Sequence, residues 1–156
     1  MNKKLIGLGL IAALAVSVIA TMVFVGPIDV STPEKESEFI DWNRSGPFAI
    51  NEHEYIIGEN IFIAVEGLTP LDVGNAVFVL PNGTTKYIEI PFDGAEKSSF
   101  NQYFKPSVSK NRKICSTDDI IGEWTVVFQG TQYDPLRFRI LNDTLSGEHG
   151  YFQRVC

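Results

Sequence analysis

"GEWTVVFQG", residues 122–130, decides the fold class of this chain. Trp124, Val126 and Phe128 alternate with Thr125, Val127 and Gln129. An extended backbone therefore puts the three largest apolar side chains on one face. Gly122 and Gly130 punctuate the run at both ends. The next stretch, "PLRFRIL", repeats the pattern, with Leu136, Phe138 and Ile140 inward and Arg137 and Arg139 outward.

Upstream the same texture recurs. "NIFIAVEG" sets Ile61, Ile63 and Val65 against Phe62 and Ala64, and "AVFVL" is apolar throughout, as a central strand buried on both faces would be. Asn82-Gly83 reads as a two-residue hairpin turn, because both residues tolerate positive φ. On the return strand Ile88 and Ile90 are expected on one face, with Tyr87 and Glu89 on the other. "SSFNQYFKP" reads as a further, more polar strand. After residue 25 no stretch keeps a helical period for three turns. The expectation is an all-β, antiparallel sandwich of about seven strands over residues 48–142, with a C-terminal tail at 143–156.

The N-terminus differs in kind. Leu5 to Val25 is an uncharged run of 21 residues that follows Lys3 and Lys4. As a helix it spans about 31 Å, close to the hydrocarbon thickness of a bilayer and longer than a usual secretory h-region. A cleavage site is legible after Ala20, but it would leave Met22-Val23-Phe24-Val25 as an apolar new terminus. Residues 1–25 are therefore read as a cytoplasmic stub and one transmembrane signal anchor in contact with the lipid bilayer. Lysines before the run and Asp29, Glu34, Glu36, Glu38 and Asp41 after it place the N-terminus in the cytoplasm and export the rest. Gly9, Ala13 and Ser17 recur every four residues, a strip that lets helices pack closely in lipid. Residues 26–47, mixed in Pro, Ser, Glu and Asp, read as a stalk, and Phe39, Ile40 and Trp42 within it are suited to dock it on the domain or at the membrane interface.

Composition narrows function further. With Lys3 and Lys4 set aside, 11 basic residues stand against 19 acidic ones, a formal charge of −8 on the exported part. That field repels phosphate backbones and anionic headgroups, so nucleic acid is a poor partner. Cys115 and Cys156, alone in an exported chain, are expected to form a disulfide, which in the chain-entropy account is worth ~4 kcal/mol. The tail would then fold back, with Tyr151 and Phe152 covering an apolar edge. Three Asn-x-Ser/Thr sequons begin at Asn43, Asn82 and Asn142 and are glycosylation candidates.

The residue inventory offers little for catalysis. There is no Gly-x-Ser-x-Gly elbow to activate a serine. His53, Cys115 and His149 match the ligand types of a blue-copper site, but no histidine follows Cys115 at short range. In "NEHEY", Glu52, His53 and Glu54 alternate in direction and cannot share one ion. Asp118, Asp119 and His149 could at most form an incidental surface metal site. No catalytic residue, cofactor or resident metal is expected.

"EYIIGENIFIAVEG … NAVFVLPNGTTKYIEI … DDIIGEWTVVFQG" resembles the extracellular immunoglobulin-like modules, of bacterial-Ig and macroglobulin type, on prokaryotic and especially archaeal surface proteins. Tyr55 to Glu59, Pro81 to Gly83 and Gly122 to Val126 carry the resemblance, which covers residues 48–141. It implies an Ig-like sandwich without an active site. The functional expectation is a non-enzymatic, single-pass module at the cell membrane that contacts other membrane or cell-surface proteins. A small accessory subunit of a larger membrane complex and a pilin-like or archaellum-stator-like protein are the alternatives.

Overall fold

The structure, a computed structural model, describes residues 41–156. The expected anchor, with Gly9, Ala13 and Ser17, lies outside the described residues. Among the described residues no helix is long and apolar enough to cross a membrane.

Among the described residues nine strands form two sheets. The first is built from β1 (Asn43–Ser45), β2 (Phe48–Ile50), β4 (Ile61–Glu66) and β7 (Ser99–Phe104), in the order β1-β2-β4-β7. The second contains β3 (Glu54–Ile57), β5 (Val73–Val79), β6 (Lys86–Asp93), β8 (Gly122–Gln129) and β9 (Leu136–Thr144), in the order β3-β9-β8-β5-β6. The described residues are all-β, as their alternation implies, and the two sheets share one core.

The inward and outward faces of the quoted strand are as expected. Trp124, Val126 and Phe128 are buried on β8, and Leu136, Phe138 and Ile140 on β9, while Arg137 and Arg139 are exposed. Trp124 is fully buried; its ring stacks on Phe138 at 5.6 Å and meets Tyr87 edge-on at 5.2 Å. Its indole N–H donates to the Ile120 carbonyl at 2.7 Å, which satisfies the one polar atom that burial would otherwise strand. Across the sheets Phe48 of β2 stacks on Phe128 of β8 at 4.0 Å, and Phe78 of β5 meets Phe104 of β7 at 4.8 Å. Apolar burial from both sheets is the main stabilising term.

Four expectations need correction. Pairing begins at Asn43, within the segment read as a stalk, because β1 hydrogen-bonds to β2. The sandwich is not wholly antiparallel, since β3 pairs with β9 in parallel. The reason is a switch of sheets. The chain leaves β2 in the first sheet, crosses at Asn51 and continues as β3 in the second. Asn51 holds the crossing: its Oδ1 accepts from the Phe62 amide at 2.9 Å and from the Tyr55 hydroxyl at 2.7 Å. Burial pushes the Tyr55 hydroxyl well above the usual tyrosine range and so keeps it a donor.

Third, residues 81–84 are a four-residue loop and not a two-residue hairpin turn. The Gly83 amide donates to Leu80 and the Leu80 amide to Thr85, both at 2.9 Å, and only Gly83 takes positive φ, at 73°. Pro81 directly after Leu80 favours the tight turn that starts there. Fourth, the register of β6 slips at this hairpin, so that Phe78 opposes Ile88 and Val79 opposes Lys86. Tyr87 is the extra residue, and the bulge turns its ring into the core instead of away from it.

Trp124→Ala is expected to destabilise the domain by ~3–5 kcal/mol, the range for a large buried aromatic. Urea unfolding of wild type and variant checks this; a loss below about 1 kcal/mol would contradict the packing described.

Candidate contact surface

The two outward faces of the sandwich differ in chemistry. On the five-stranded sheet Glu54 lies beside Arg139, and Glu123 pairs with Arg137 at 3.2 Å, an exposed ion pair worth little to stability. On the four-stranded sheet the corresponding face is aromatic. Trp42 meets Phe62 edge-on at 5.7 Å, and Phe62 opposes Tyr103 in the β4–β7 register. These three rings form a row from the start of the described chain to the free edge of the sheet. Tyr103, at the end of the row, is 67% exposed. Beside the row Ala49 and Ala64 are paired across β2 and β4, and both are buried. Arg44 and Glu66 lie on the same face.

One end of the sandwich is organised around Asp72, the one buried charged residue among those described. Its Oδ2 accepts from the Thr69 amide at 2.7 Å and the Thr69 hydroxyl at 2.8 Å, and its Oδ1 accepts from the Tyr133 hydroxyl at 3.0 Å. The Gly94 amide donates to the Asp72 carbonyl at 2.9 Å. A single residue, through its carboxylate and its backbone carbonyl, thus joins the loops at 67–72, 94–98 and 130–135. The Tyr133 ring in turn fills the space over Gly46, where φ is +54° and an added Cβ would collide with it. The hydrogen bonds from Thr69 hold the Asp72 carboxyl below its ordinary range, and the Asp72 acceptor raises the Tyr133 hydroxyl. Sequence reading missed this hub; Thr69-Pro70-Leu71-Asp72 fits an acceptor that folds back on its own loop, but nothing in it points to Tyr133.

The opposite end carries the disulfide. Cys115 and Cys156 are bonded, with Cα atoms 5.1 Å apart. The Val155 amide donates to the Cys115 carbonyl at 2.9 Å, and Lys105 pairs with Glu148 at 3.1 Å. The tail folds back as expected, but only half of the aromatic pair docks. Phe152 is buried, whereas Tyr151 is exposed because successive residues of the short turn at 149–152 point in different directions. With its sulfur in the disulfide, Cys115 is no ligand for copper. Among the described residues no three His, Cys, Asp or Glu side chains are grouped to hold a metal ion.

The three sequons stand in different settings. Asn43 lies on β1, and its side-chain nitrogen donates to the Arg137 carbonyl at 2.6 Å, which fastens β1 to β9. Asn142 lies within β9 and is exposed. Asn82 is exposed in the loop between β5 and β6.

No protein-family model, curated protein or solved structure matches this chain.

Asp72 sets a pH dependence. Its folded pKa is lowered from 3.8, so its contribution is present above the unfolded value and is lost as pH falls through the folded one. Asp72→Asn is expected to lower stability at neutral pH by ~1–3 kcal/mol and to flatten the loss on acidification below about pH 4. Thermal melts of both proteins from neutral pH to about pH 2 check this; parallel curves would contradict it.

Proposed function

We propose that this chain is a non-enzymatic, membrane-anchored, immunoglobulin-like module on the extracytoplasmic side, which contacts other membrane or cell-surface proteins through its four-stranded sheet. The observation that carries the reading is the row Trp42–Phe62–Tyr103, which ends in the exposed Tyr103. Aromatic rings on a rigid sheet offer large contact area with little conformational entropy left to lose, and such residues dominate protein interfaces.

Strand order supports the immunoglobulin-like part. β2, β4 and β7 take the places of the A, B and E strands, and β5, β8 and β9 those of C, F and G, with β8 between β5 and β9. The first strand is divided between the sheets as β2 and β3. The chain departs from the antibody pattern in two respects. Its buried Trp124 stands on the strand in the F place, and its disulfide joins the tail to the β7–β8 connection instead of joining the sheets. The uncharged run at residues 5–25, behind Lys3 and Lys4, supports the anchor and the outward orientation. An accessory subunit of a larger complex would use the same face with a permanent partner.

A photo-crosslinking residue placed at Tyr103 in the full chain, in intact membranes, is expected to give a discrete protein adduct. The same residue at Thr125, on the ion-laced sheet, is expected to give none. Tyr103→Glu should shift the melting temperature by no more than about 2 °C and abolish contact made through the face. Equal crosslinking from both positions, or none at Tyr103, would contradict the assignment.

A further inference from the structure

We infer that one of the three sequons, Asn82, is the acceptor for N-linked sugar, and that Asn43 and Asn142 stay bare. The inference rests on the extracytoplasmic placement proposed above.

A transferase must reach both the asparagine amide and the hydroxyl two residues on, and the protein must then accommodate the sugar. At Asn82 both conditions hold. Asn82, Gly83 and Thr84 are all exposed in the loop that joins β5 to β6. The loop already brings the two reading points together. Asn82 Oδ1 accepts from the Thr84 amide at 3.0 Å and from the Thr85 amide at 2.9 Å, and the Thr84 hydroxyl lies at 3.4 Å from the same oxygen. Its amide nitrogen is engaged only with the side-chain hydroxyl of Thr85, at 2.9 Å, a bond that breaks without disturbing the backbone. Gly83, with positive φ and nothing within 4 Å of where a Cβ would stand, leaves open space at the tip.

Asn43 fails on access. Its amide nitrogen sits at 2.6 Å from the Arg137 carbonyl in the seam between β1 and β9, and a sugar there would have to enter that seam. Asn142 fails on backbone freedom. Its sequon lies at a bulge near the end of β9, where Asn142 and Asp143 are clamped between Leu141 and Thr144, which pair with Ile56 and Ile57. The Thr144 amide also donates to Asp143 at 2.8 Å, and the strand would have to open before an enzyme cleft could take it.

The chemistry is a glycosyl transfer from a lipid-pyrophosphate-linked sugar. The Asn82 side-chain nitrogen bonds to the anomeric carbon and gives up one proton, through the transferase, to solvent. The carbon–oxygen bond to pyrophosphate breaks, and the lipid pyrophosphate departs with the electron pair. The acceptor loop belongs to the five-stranded sheet, so the sugar leaves the aromatic row of the other sheet uncovered.

Glycopeptide mapping and intact-mass measurement of the full chain, purified from membranes of the cells that produce it, test the assignment. The expected result is a discrete mass increment on the peptide that contains Asn82. Asn82→Gln should remove the increment completely, and Asn43→Gln and Asn142→Gln should leave it intact. Asn82 also holds its own loop, so Thr84→Ala serves as a second variant: it removes the required hydroxyl, keeps the asparagine and should abolish the increment equally. Protease treatment of intact cells, run in parallel, separates the two ways to fail. A bare Asn82 on a domain that is cleaved from outside overturns the acceptor assignment alone. A domain protected inside overturns the placement and the acceptor with it. Sugar found on Asn43 or Asn142 also overturns the assignment.

Discussion

The hydrogen bond from the Trp124 indole to the Ile120 carbonyl, made inside the core at 2.7 Å, ties the longest connection between the described strands to the core. An indole is too large to leave out of a core of this size, and its N–H is too polar to bury alone. The carbonyl that satisfies it belongs to the long connection between β7 and β8, which has little regular structure of its own. That connection is thereby drawn onto the core, with Ile114 and Ile120 fully buried beneath it. Asp119 closes the turn in front, its Oδ2 accepting from the Cys115 amide at 2.6 Å. Cys115 then stands where the returning tail meets it. The disulfide fastens an arrangement that packing has already set.

The rest of the molecule divides its labour by face and by end. Inward positions on both sheets are apolar and interlock through aromatic pairs. Of the outward faces, one is laced with ions and the other carries three aromatic rings. At one end Asp72 holds three loops by four short hydrogen bonds; at the other the disulfide holds the tail. Both devices limit motion at the ends of the sheets and leave the strands between them as a stiff platform. A stiff platform loses little entropy when a partner docks on it. This is the physical link between the packing of the core and the proposed role of the outer aromatic row.

Much of this was legible because alternation on a strand has an unambiguous reading once one face is apolar. β8 and β9 could be placed from sequence residue by residue, and so could the inward face of β4. What escaped were features set by distant partners. The three-residue β1 carries no period that could be recognised, and it exists because β2 offers it an edge. Tyr87 faces the core, against strict alternation with Ile88, because a bulge inserts it as one extra residue. The parallel pairing of β3 follows from a change of sheet at Asn51, which no local pattern encodes. Of the candidate site, the disulfide was readable from a cysteine pair and a compartment argument. The aromatic row was not: Trp42, Phe62 and Tyr103 lie on three strands, and only pairing brings them together. The Asp72–Tyr133 bond, 61 positions apart in sequence, is of the same kind.

The Trp124 contact is a part of the globally cooperative core and not a local lid over it. Hydrogen exchange read by NMR at the Trp124 indole proton of the full chain tests this directly. The account predicts that this proton exchanges only when the whole domain unfolds, in the same slowest class as the central amides of β5 and β8. Exchange of the indole proton much faster than those amides would mean that the β7–β8 connection opens by itself, and would contradict the account.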